Sequence, residues 1–535
     1  MKGKFSIPLF PTLFAIYPIW TLLARNPGEI VPAMAIRFSL LFIALTWLMI
    51  WLVYLLTKDS LRSIIIGTLM IWSIDSSGHT YRMLIGYFSP PFSNWLYPLL
   101  LVLSALLIIF LAQKDVWQRL RPERWGKAST SYLNWISLLS LVFAFWPMLQ
   151  FWRDAKDDTP ISWRESFTPQ EISFTKPASP PDIYYIVLDG YGRQDVLENV
   201  YGFNNAAFIS FLTSRGFFIA DQAHSNYVQT PLSLSSSLNF DYINFAEEYA
   251  GSRSINRLPL FSLLRESRAR TILEQTGYRF IATSSGYPFT EFTDADVYLS
   301  PYLSTLNELE RFYLTTTALD PMISRDSPMG NWLRYYLPLP GYEASRERIL
   351  YSLNELKKIP ALDGPKFVFV HIVGPHPPFV LNQHGEAVNS TRPYLAGDGE
   401  AFGGSAAEYQ QQYIEQLIYI NSQIQTAVDL ILEKSARPPV ILIQGDHGPG
   451  SLLIRDSLEK TCLLERTSIL SAYYLPDGSS LLAQDISPVN SFRLILNAYF
   501  GTNLALLPNR TFFSPQSWPY DFTDVTDKIE PRCEP

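Results

Sequence analysis

The chain has 535 residues, of which 47% are hydrophobic, and its 42 Lys and Arg residues against 49 Asp and Glu residues leave a formal net charge of -7. This acidic balance, with no basic block outside short N-terminal loops, argues against a nucleic-acid-binding protein. The apolar residues are unevenly spread along the chain. Their distribution predicts a membrane domain over residues 1–152, a linker over 153–180 and one large domain over 181–535.

Apolar segments of about 20 residues, the length that spans a bilayer as a helix, recur in the first domain. Residues 5–24, 38–57, 93–112 and 132–151 carry no charge, and a weaker segment begins at Ser63 and includes Asp75, His79 and Arg82. The sequence therefore predicts about five transmembrane helices. The three ionisable residues of the weaker segment are either a ligand site or an interfacial ion cluster, and both interpretations stay open.

The positive charges indicate the orientation of these helices. Lys and Arg residues occur before the first segment, between the second and third, and between the fourth and fifth. Loops rich in Lys and Arg stay in the cytoplasm, so the chain would leave the fifth helix on the outer side. We expect a multi-pass protein of the cell membrane with an extracytoplasmic C-terminal domain. The first segment lacks a signal-peptide cleavage pattern, which favours an anchor.

The C-terminal domain alternates short apolar runs with helix-like segments. The runs 182–188, 216–220, 278–283, 366–372, 439–444 and one near 471 predict strands, and 206–216, 260–277 and 406–436 predict helices. This alternation is typical of an α/β fold with a mostly parallel sheet and helices on both faces. The aromatic-rich segment 300–345 is either close to the membrane surface or an ordinary core helix and loop.

The chain has only two cysteines, Cys462 and Cys533, and no Cys/His spacing typical of a structural zinc site. An extracytoplasmic compartment permits a disulfide between them. The sequence leaves open whether they are bonded or free.

Chemistry-bearing residues stand where three of the apolar runs end. The first run reaches Asp189, another ends in Asp446 and His447, and a third contains His371 and is followed by His376. Ligands gather at the carboxyl ends of parallel strands. Carboxylates and imidazoles together are suitable ligands for a divalent cation. The pattern therefore predicts a metal or catalytic site at one edge of the sheet.

The segment TPLSLSSSLN, which begins at Thr230, offers a hydroxyl at a helix N-terminus. Thr230 precedes a proline that suits the first helical turn, so one interpretation is a simple N-cap. The other is a nucleophile, because helix N-termini attract anions and a coordinated hydroxyl can attack phosphorus.

The order LDG, TPLSLSSSLN, HIVGPHPPF and GDHG resembles the sulfatase branch of the alkaline phosphatase superfamily. Within that branch it is similar to membrane-anchored enzymes of the lipoteichoic-acid synthase and phosphoethanolamine transferase type. The resemblance implies that Asp189, Asp446 and His447 are metal ligands and that Thr230 is the metal-bound nucleophile. It also implies that His376 binds the substrate phosphate, with His371 as a second candidate.

Two departures from the family pattern matter. Sulfatases proper mature a Cys or Ser into formylglycine, whereas this chain has Thr230, which disfavours sulfate esters. No histidine follows His447, whereas two-zinc relatives have one downstream. We therefore expect one divalent ion, Mn, Zn or Mg.

The expected function is that of a membrane-anchored, metal-dependent phosphotransferase or phosphodiesterase acting outside the cytoplasm. Its donor would be a membrane phospholipid or another phosphodiester, and its acceptor a glycan, a lipid or water. Two alternatives stay open: a hydrolase of soluble phosphate or sulfate esters, and a non-catalytic membrane scaffold.

Overall fold

The computed structural model describes residues 7–26, 28–30, 32–87, 90–111, 113, 115–116, 122–154, 172–302, 306–319, 328–337, 341–388, 394, 397–476 and 482–533. The chain divides into two compact units. The first comprises Met1–Asp154, Tyr302–Pro340 and Thr391–Pro393, and the second comprises Ala155–Pro301, Gly341–Ser390 and Tyr394–Pro535. Most of the predicted linker, residues 153–180, lies outside the described residues.

The first unit is helical. Its described N-terminal helices are Phe10–Arg25, Met34–Thr57, Ser60–Tyr87, Pro90–Leu111 and Pro122–Asp154, one at each position where a span is predicted. Among the described residues, two helical stretches are long and apolar enough to cross a membrane, Met34–Thr57 and Thr130–Phe151. The first helix has only 16 residues. The third contains Asp75 and His79, of which Asp75 is buried and His79 exposed. The side chain of Arg82 lies outside the described part.

The segment 302–340 is part of this helical unit. Its described helices are Glu308–Leu314 and Pro328–Tyr336. Asn307 caps the first of them by accepting a hydrogen bond from the backbone N–H of Glu310, whose carboxylate accepts one in return from the N–H of Asn307. The ring of Tyr313 packs edge-on against Phe38 and Phe42. Tyr313 is therefore buried against the N-terminal helices, whereas Trp332, Tyr335 and Tyr336 of the same segment are exposed.

The second unit is an α/β structure. Its strands are β1 Ile183–Leu188, β2 Phe218–Ile219, β3 Arg279–Thr283, β4 Val297–Leu299, β5 Lys366–Ile372, β6 Val440–Gln444, β7 Ser471–Tyr474, β8 Phe512–Phe513 and β9 Thr523–Asp524. Its α-helices are Gln194–Asn199, Ala206–Ser214, Thr230–Asn239, Phe245–Ala250, Leu258–Arg265, Arg268–Gln275, Tyr342–Leu356, Ala406–Lys434, Leu463–Thr467 and Ser491–Phe500.

The main sheet, as the described residues define it, has seven strands in the order β2-β7-β6-β1-β5-β3-β4. Strands β6, β1, β5, β3 and β4 run parallel, whereas β7 and β2 add an antiparallel edge. The sheet is thus mixed, with a parallel centre. Short β4 has no counterpart among the sequence predictions.

Both faces of the sheet are covered, which explains why its central strands read as continuous apolar runs. Along β1, Ile183, Tyr185 and Val187 belong to one buried cluster, which includes residues of Thr230–Asn239 and Ser491–Phe500. The alternate residues of β1 belong to the opposite cluster with residues of Tyr342–Leu356 and Ala406–Lys434. Successive strand side chains point to opposite faces, so one strand serves both layers.

The two cysteines form a disulfide. Cys462 and Cys533 are bonded, with their Cα atoms 5.3 Å apart. The bond ties the C-terminal segment to the residue that precedes the short helix Leu463–Thr467.

Candidate active site

The site forms at the carboxyl edge of the three central strands. Because β1 lies between β6 and β5, the loops that follow these strands are neighbours. Val187 is level with both His371 and Gln444. Two residues beyond Val187 and Gln444 come Asp189 and Asp446, at the same level of the sheet. The strand register therefore brings together residues from distant parts of the sequence.

Backbone hydrogen bonds hold these loops against each other. The N–H of Asp189 donates to the carbonyl of Ile372 at 3.0 Å, and the N–H of His376 donates to the carbonyl of Asp189 at 3.0 Å. The N–H of Gly190 donates to Oδ1 of Asp446 at 3.1 Å. These hydrogen bonds thus connect the loops that follow β1, β5 and β6 at the carboxyl ends of the strands.

The ionisable side chains at this edge of the sheet lie close together, and they include both the predicted ligands and the predicted phosphate-binding histidines, His371 and His376. In the described residues, two groups have ligand atoms that all lie within 4.8 Å of one another: Asp189 with His376 and His447, and Asp189 with His371 and Asp446. Nε2 of His447 lies 3.5 Å from Asp189 Oδ1 and 3.4 Å from Asp446 Oδ2. Nε2 of His371 lies 3.3 Å from Asp189 Oδ2. Asp189 belongs to both groups and is the centre of the cluster.

Thr230 reaches this cluster from the helix Thr230–Asn239. The backbone cap of that helix is Gln229, and the hydroxyl of Thr230 lies 3.1 Å from Nε2 of His447. Nδ1 of His447 donates to the carbonyl of Gly448 at 2.9 Å, so the neutral ring directs an unprotonated Nε2 at Thr230. Burial and the positive charge of Arg466 lower the pKa of His447, which favours this neutral form.

Several atoms of the cluster have no hydrogen bond. Among the described residues, three buried atoms of the cluster make no hydrogen bond: Oδ1 of Asp189, Nε2 of His371 and Oδ2 of Asp446. A buried polar atom without a partner is costly. A divalent cation would satisfy both carboxylate oxygens and an imidazole nitrogen at once, so the residues present fit such an ion. Thr290 supports this arrangement, because its hydroxyl lies 2.8 Å from Nδ1 of His371 and orients the ring.

Asp189 and His376 both favour their charged forms, one negative and the other positive. Burial acts to raise the pKa of Asp189, but the neighbouring His376, His371 and His447 rings outweigh burial and lower it below its usual value. Burial acts to lower the pKa of His376, but the carboxylates of Asp189 and Asp398 outweigh burial and raise it. The site therefore keeps an ionised carboxylate at its centre and a readily protonated imidazole beside it.

Sequence reasoning missed Asp398 and Arg466. Oδ2 of Asp398 lies 3.6 Å from Nε2 of His376, and its carboxylate accepts hydrogen bonds from Tyr409 and Arg466. Burial acts to raise the pKa of Asp398, but the positive charges of His376 and Arg466 outweigh burial and lower it to about 2. Asp398 lies in a loop and Arg466 in a five-residue helix, so no strand end or motif marks either residue.

The glycines around Asp446 and His447 are required by close backbone approach. A β-carbon at Gly445 would lie 2.6 Å from the carbonyl oxygen of Tyr191, and one at Gly448 would overlap the carbonyl oxygen of Glu465. Real β-carbons do not approach backbone atoms so closely, so the GDHG segment can pack here only with glycine at both positions.

Two other histidines lie outside the ligand groups. His224 accepts a hydrogen bond from Arg193 and contacts the hydroxyl of Thr467. His384 is exposed in a loop. Neither side chain belongs to a ligand group among the described residues.

Comparisons with known proteins match one family model and several solved structures. The sulfatase family model matches residues 181–467, which is more than half of the chain. Among solved structures, the periplasmic domain of EptC from Escherichia coli in complex with Zn is 11% identical, with 66% of this chain and 95% of that chain covered and a TM-score of 0.41. The integral membrane phosphoethanolamine transferase EptA from Neisseria meningitidis is 12% identical, with 92% and 94% covered and a TM-score of 0.38. A 2-O GAG sulfatase is 11% identical, with 61% and 72% covered and a TM-score of 0.38. No curated protein sequence matches the chain significantly.

Proposed function

The chain belongs to the sulfatase family, and from that premise we propose that it is a membrane-anchored, metal-dependent phosphotransferase or phosphodiesterase with Thr230 as its nucleophile. The observation that carries this proposal is the position of the Thr230 hydroxyl, 3.1 Å from Nε2 of His447, which lies 3.5 and 3.4 Å from the unpaired oxygens of Asp189 and Asp446. A hydroxyl in this setting is suited to attack an electrophilic phosphorus.

Phosphate rather than sulfate is the substrate we propose, because of the side chain at position 230. Formylglycine is an aldehyde formed at a primary β-carbon. The β-carbon of Thr230 carries a methyl group, so its oxidation would give a ketone instead. The nucleophile is then the threonine hydroxyl itself, which forms a phosphoester.

The reaction we propose has two displacements. In the first, a bond forms between Oγ1 of Thr230 and phosphorus, the bond from phosphorus to the donor alcohol breaks, and the threonine proton ends on the released alcohol. In the second, an acceptor hydroxyl or water attacks phosphorus, the Thr230 bond breaks, and Thr230 regains a proton. The two halves together transfer one phosphoryl-bearing group with no oxidation or reduction.

The other residues have distinct parts in this scheme. His376 is more accessible than its neighbours, and its raised pKa favours an imidazolium that binds and orients a phosphate oxygen. Asp398 holds that ring through its Nε2, 3.6 Å from Oδ2 of Asp398. His371 is held by Thr290 and supports Asp189.

Asp189, Asp446, His447 and Thr230 would hold one divalent cation, Mn, Zn or Mg, with His371 next to them. Such a cation lowers the pKa of a hydroxyl and neutralises charge on phosphoryl oxygens. The remaining contribution of the protein is to hold Thr230 in line with the phosphorus.

The donor we propose is a membrane phospholipid, and the acceptor is a glycan, a lipid or water. The chain has described helices that are long and apolar enough to cross a membrane. The apolar segments of the sequence favour five spans, and the charge pattern of the N-terminal loops favours a catalytic unit outside the cytoplasm. An anchored enzyme meets lipid headgroups at high local concentration, which favours a lipid over a soluble donor.

Intact-mass measurement of the full chain after incubation with phospholipid vesicles and a divalent metal tests the proposal. We expect a mass increase equal to the phosphorylated headgroup less one water, located on Thr230 by peptide mapping and absent from Thr230→Ala. A chromogenic sulfate ester tests the alternative. Turnover of the sulfate ester without any adduct on Thr230 would contradict the proposal, as would the absence of turnover on every phosphodiester offered.

A further inference from the structure

Arg466 connects three loops of the site. The residue is only 5% exposed. Nε and Nη2 donate to the carbonyl of Val228 at 3.0 and 2.7 Å, and Nη1 donates to the carbonyl of Gly448 at 3.1 Å. Nη1 also donates to Oδ2 of Asp398. One guanidinium therefore joins parts of the chain that are far apart in sequence.

Each acceptor is adjacent to a residue of the proposed chemistry. Val228 lies two residues before Thr230. Asp398 faces His376, with 3.6 Å between Oδ2 and Nε2. Gly448 follows His447, and its carbonyl also accepts the hydrogen bond from Nδ1 of His447. Arg466 thus also holds the carbonyl of Gly448. That carbonyl fixes the orientation in which His447 presents Nε2 to Thr230.

Only a guanidinium can make this set of contacts. Its donors form a rigid planar fork, whereas a lysine ammonium is a single point of charge on a flexible stem. Without the fork, the buried acceptors at Val228 and Gly448 would lose a partner, and the carboxylate of Asp398 would lose its cation. Such groups cost free energy when unpaired, so the loops would shift to regain partners.

We infer that Arg466 is a positioning residue for the phosphoryl-transfer site. It holds three parts of the site in one reactive arrangement: the loop that precedes Thr230, the loop that contains Asp446 and His447, and the carboxylate of Asp398, which faces His376. This inference rests on the proposed function for its kinetic consequence, but its geometric consequence is independent of any substrate. A displacement of about 1 Å in a reactive group can cost about 100-fold in rate.

The test compares Arg466→Ala and Arg466→Lys with Arg493→Ala in the full-length protein. Arg493 is a matched control, because it is also 5% exposed and donates to two carbonyls, those of Phe240 and Ala505, at 2.8 and 2.7 Å. It lies at the C-terminal end of the helix Thr230–Asn239, whereas Thr230 begins that helix. Arg493→Ala therefore reports the general cost of losing a buried arginine.

On a soluble chromogenic phosphodiester, we expect Arg466→Ala to lower kcat by about 100-fold with little change in KM. Free guanidinium at millimolar concentration should restore much of that loss, since it can enter the vacated space. Arg466→Lys should keep the fold but stay slow. Arg493→Ala should keep a kcat near that of the unmodified protein and should not respond to guanidinium.

A spectroscopic readout separates this inference from the proposed function. With Co²⁺ as the metal, the visible absorption spectrum of Arg466→Ala should differ from that of the unmodified protein and return toward it with guanidinium. If the unmodified protein turns over no phosphodiester, the proposed function fails while the Co²⁺ spectra still test Arg466. The positioning role is overturned if Arg466→Lys has full kcat, or if guanidinium restores neither the spectrum nor kcat in Arg466→Ala. If Arg466→Ala does not fold, the kcat and Co²⁺ spectrum of Arg466→Lys decide alone.

Discussion

The hydroxyl of Thr230 lies 3.1 Å from Nε2 of His447, although 217 positions separate the two residues in the chain. The contact exists because a helix on one face of the sheet begins beside the loop that follows β6. It places a hydroxyl next to an unprotonated imidazole nitrogen, which itself lies 3.5 and 3.4 Å from carboxylate oxygens of Asp189 and Asp446, and this arrangement suits the proposed nucleophile.

Replacement of Thr230 tests that role directly. We expect Thr230→Ala to lower kcat by at least about 1000-fold, because no hydroxyl remains to form the phosphoester. Thr230→Ser keeps a hydroxyl on the same carbon and should retain a measurable part of the activity. Melting temperature and bound metal, measured for each variant, show whether the fold is kept. Undiminished turnover by Thr230→Ala would instead indicate a water nucleophile.

Asp446 should control metal binding. Asp446→Asn keeps an oxygen that can accept from the N–H of Gly190, but it removes the negative charge beside Nε2 of His447. We expect metal affinity to fall by at least about 10-fold. Isothermal titration of the metal-free protein with Zn²⁺ or Mn²⁺ measures this change, with exposed His384→Ala as the control. Chelation should lower the melting temperature of the unmodified protein but hardly that of Asp446→Asn. Equal affinities in both proteins would place the metal elsewhere.

Gly448 should tolerate no side chain. A β-carbon there would overlap the carbonyl oxygen of Glu465 and lie 3.0 Å from backbone atoms of Arg466 and Ser468. Because backbone atoms cannot rotate away, we expect Gly448→Ala to cost roughly 1–3 kcal/mol of stability and to weaken metal binding. Gly341→Ala is the control, since a β-carbon at Gly341 meets no atom within 4 Å. A melting temperature of Gly448→Ala equal to that of Gly341→Ala would show that this packing is wrong.

His224 should make the stability of the protein depend on pH. Burial and the adjacent Arg193 lower the pKa of His224 to about 4, below the value of about 6.5 for an unfolded chain. The unfolded state therefore binds more protons between these values, and stability falls as the pH drops from about 6.5 to about 4. We expect His224→Gln to lose less melting temperature between pH 7 and pH 5 than the unmodified protein does. Parallel losses in the two proteins would exclude this histidine as the cause.

Much of the fold follows from local patterns. Runs such as 183–188 and 440–443 are apolar on both faces, which is the pattern of a buried central strand, and their strand assignments agree with the structure. The positions of Asp189, Asp446 and His447 at strand ends follow from the same reasoning, because parallel strands bring their carboxyl ends to one edge. Their convergence agrees with the predicted site, while their roles in metal binding and catalysis stay proposals.

Other features depend on contacts that no local pattern encodes. Asp398 and Arg466 lie in a loop and a five-residue helix, and they reach the site only because the sheet order places their segments beside it. The sequence likewise left open whether the cysteines pair and where the segment 300–345 packs. The sequence predicted five transmembrane helices, whereas two of the described helices have the length and apolar composition that a membrane span requires.

The sequence by itself determined the chemistry available to this protein, namely which carboxylates, imidazoles and hydroxyl stand at strand and helix ends. The tertiary structure decided which of them meet. Periodicity reports the environment of a residue along its own strand or helix, and that is set by neighbours a few positions away. A cluster such as Thr230, His447 and Arg466 is instead set by strand order and register, which bring distant segments within hydrogen-bonding distance.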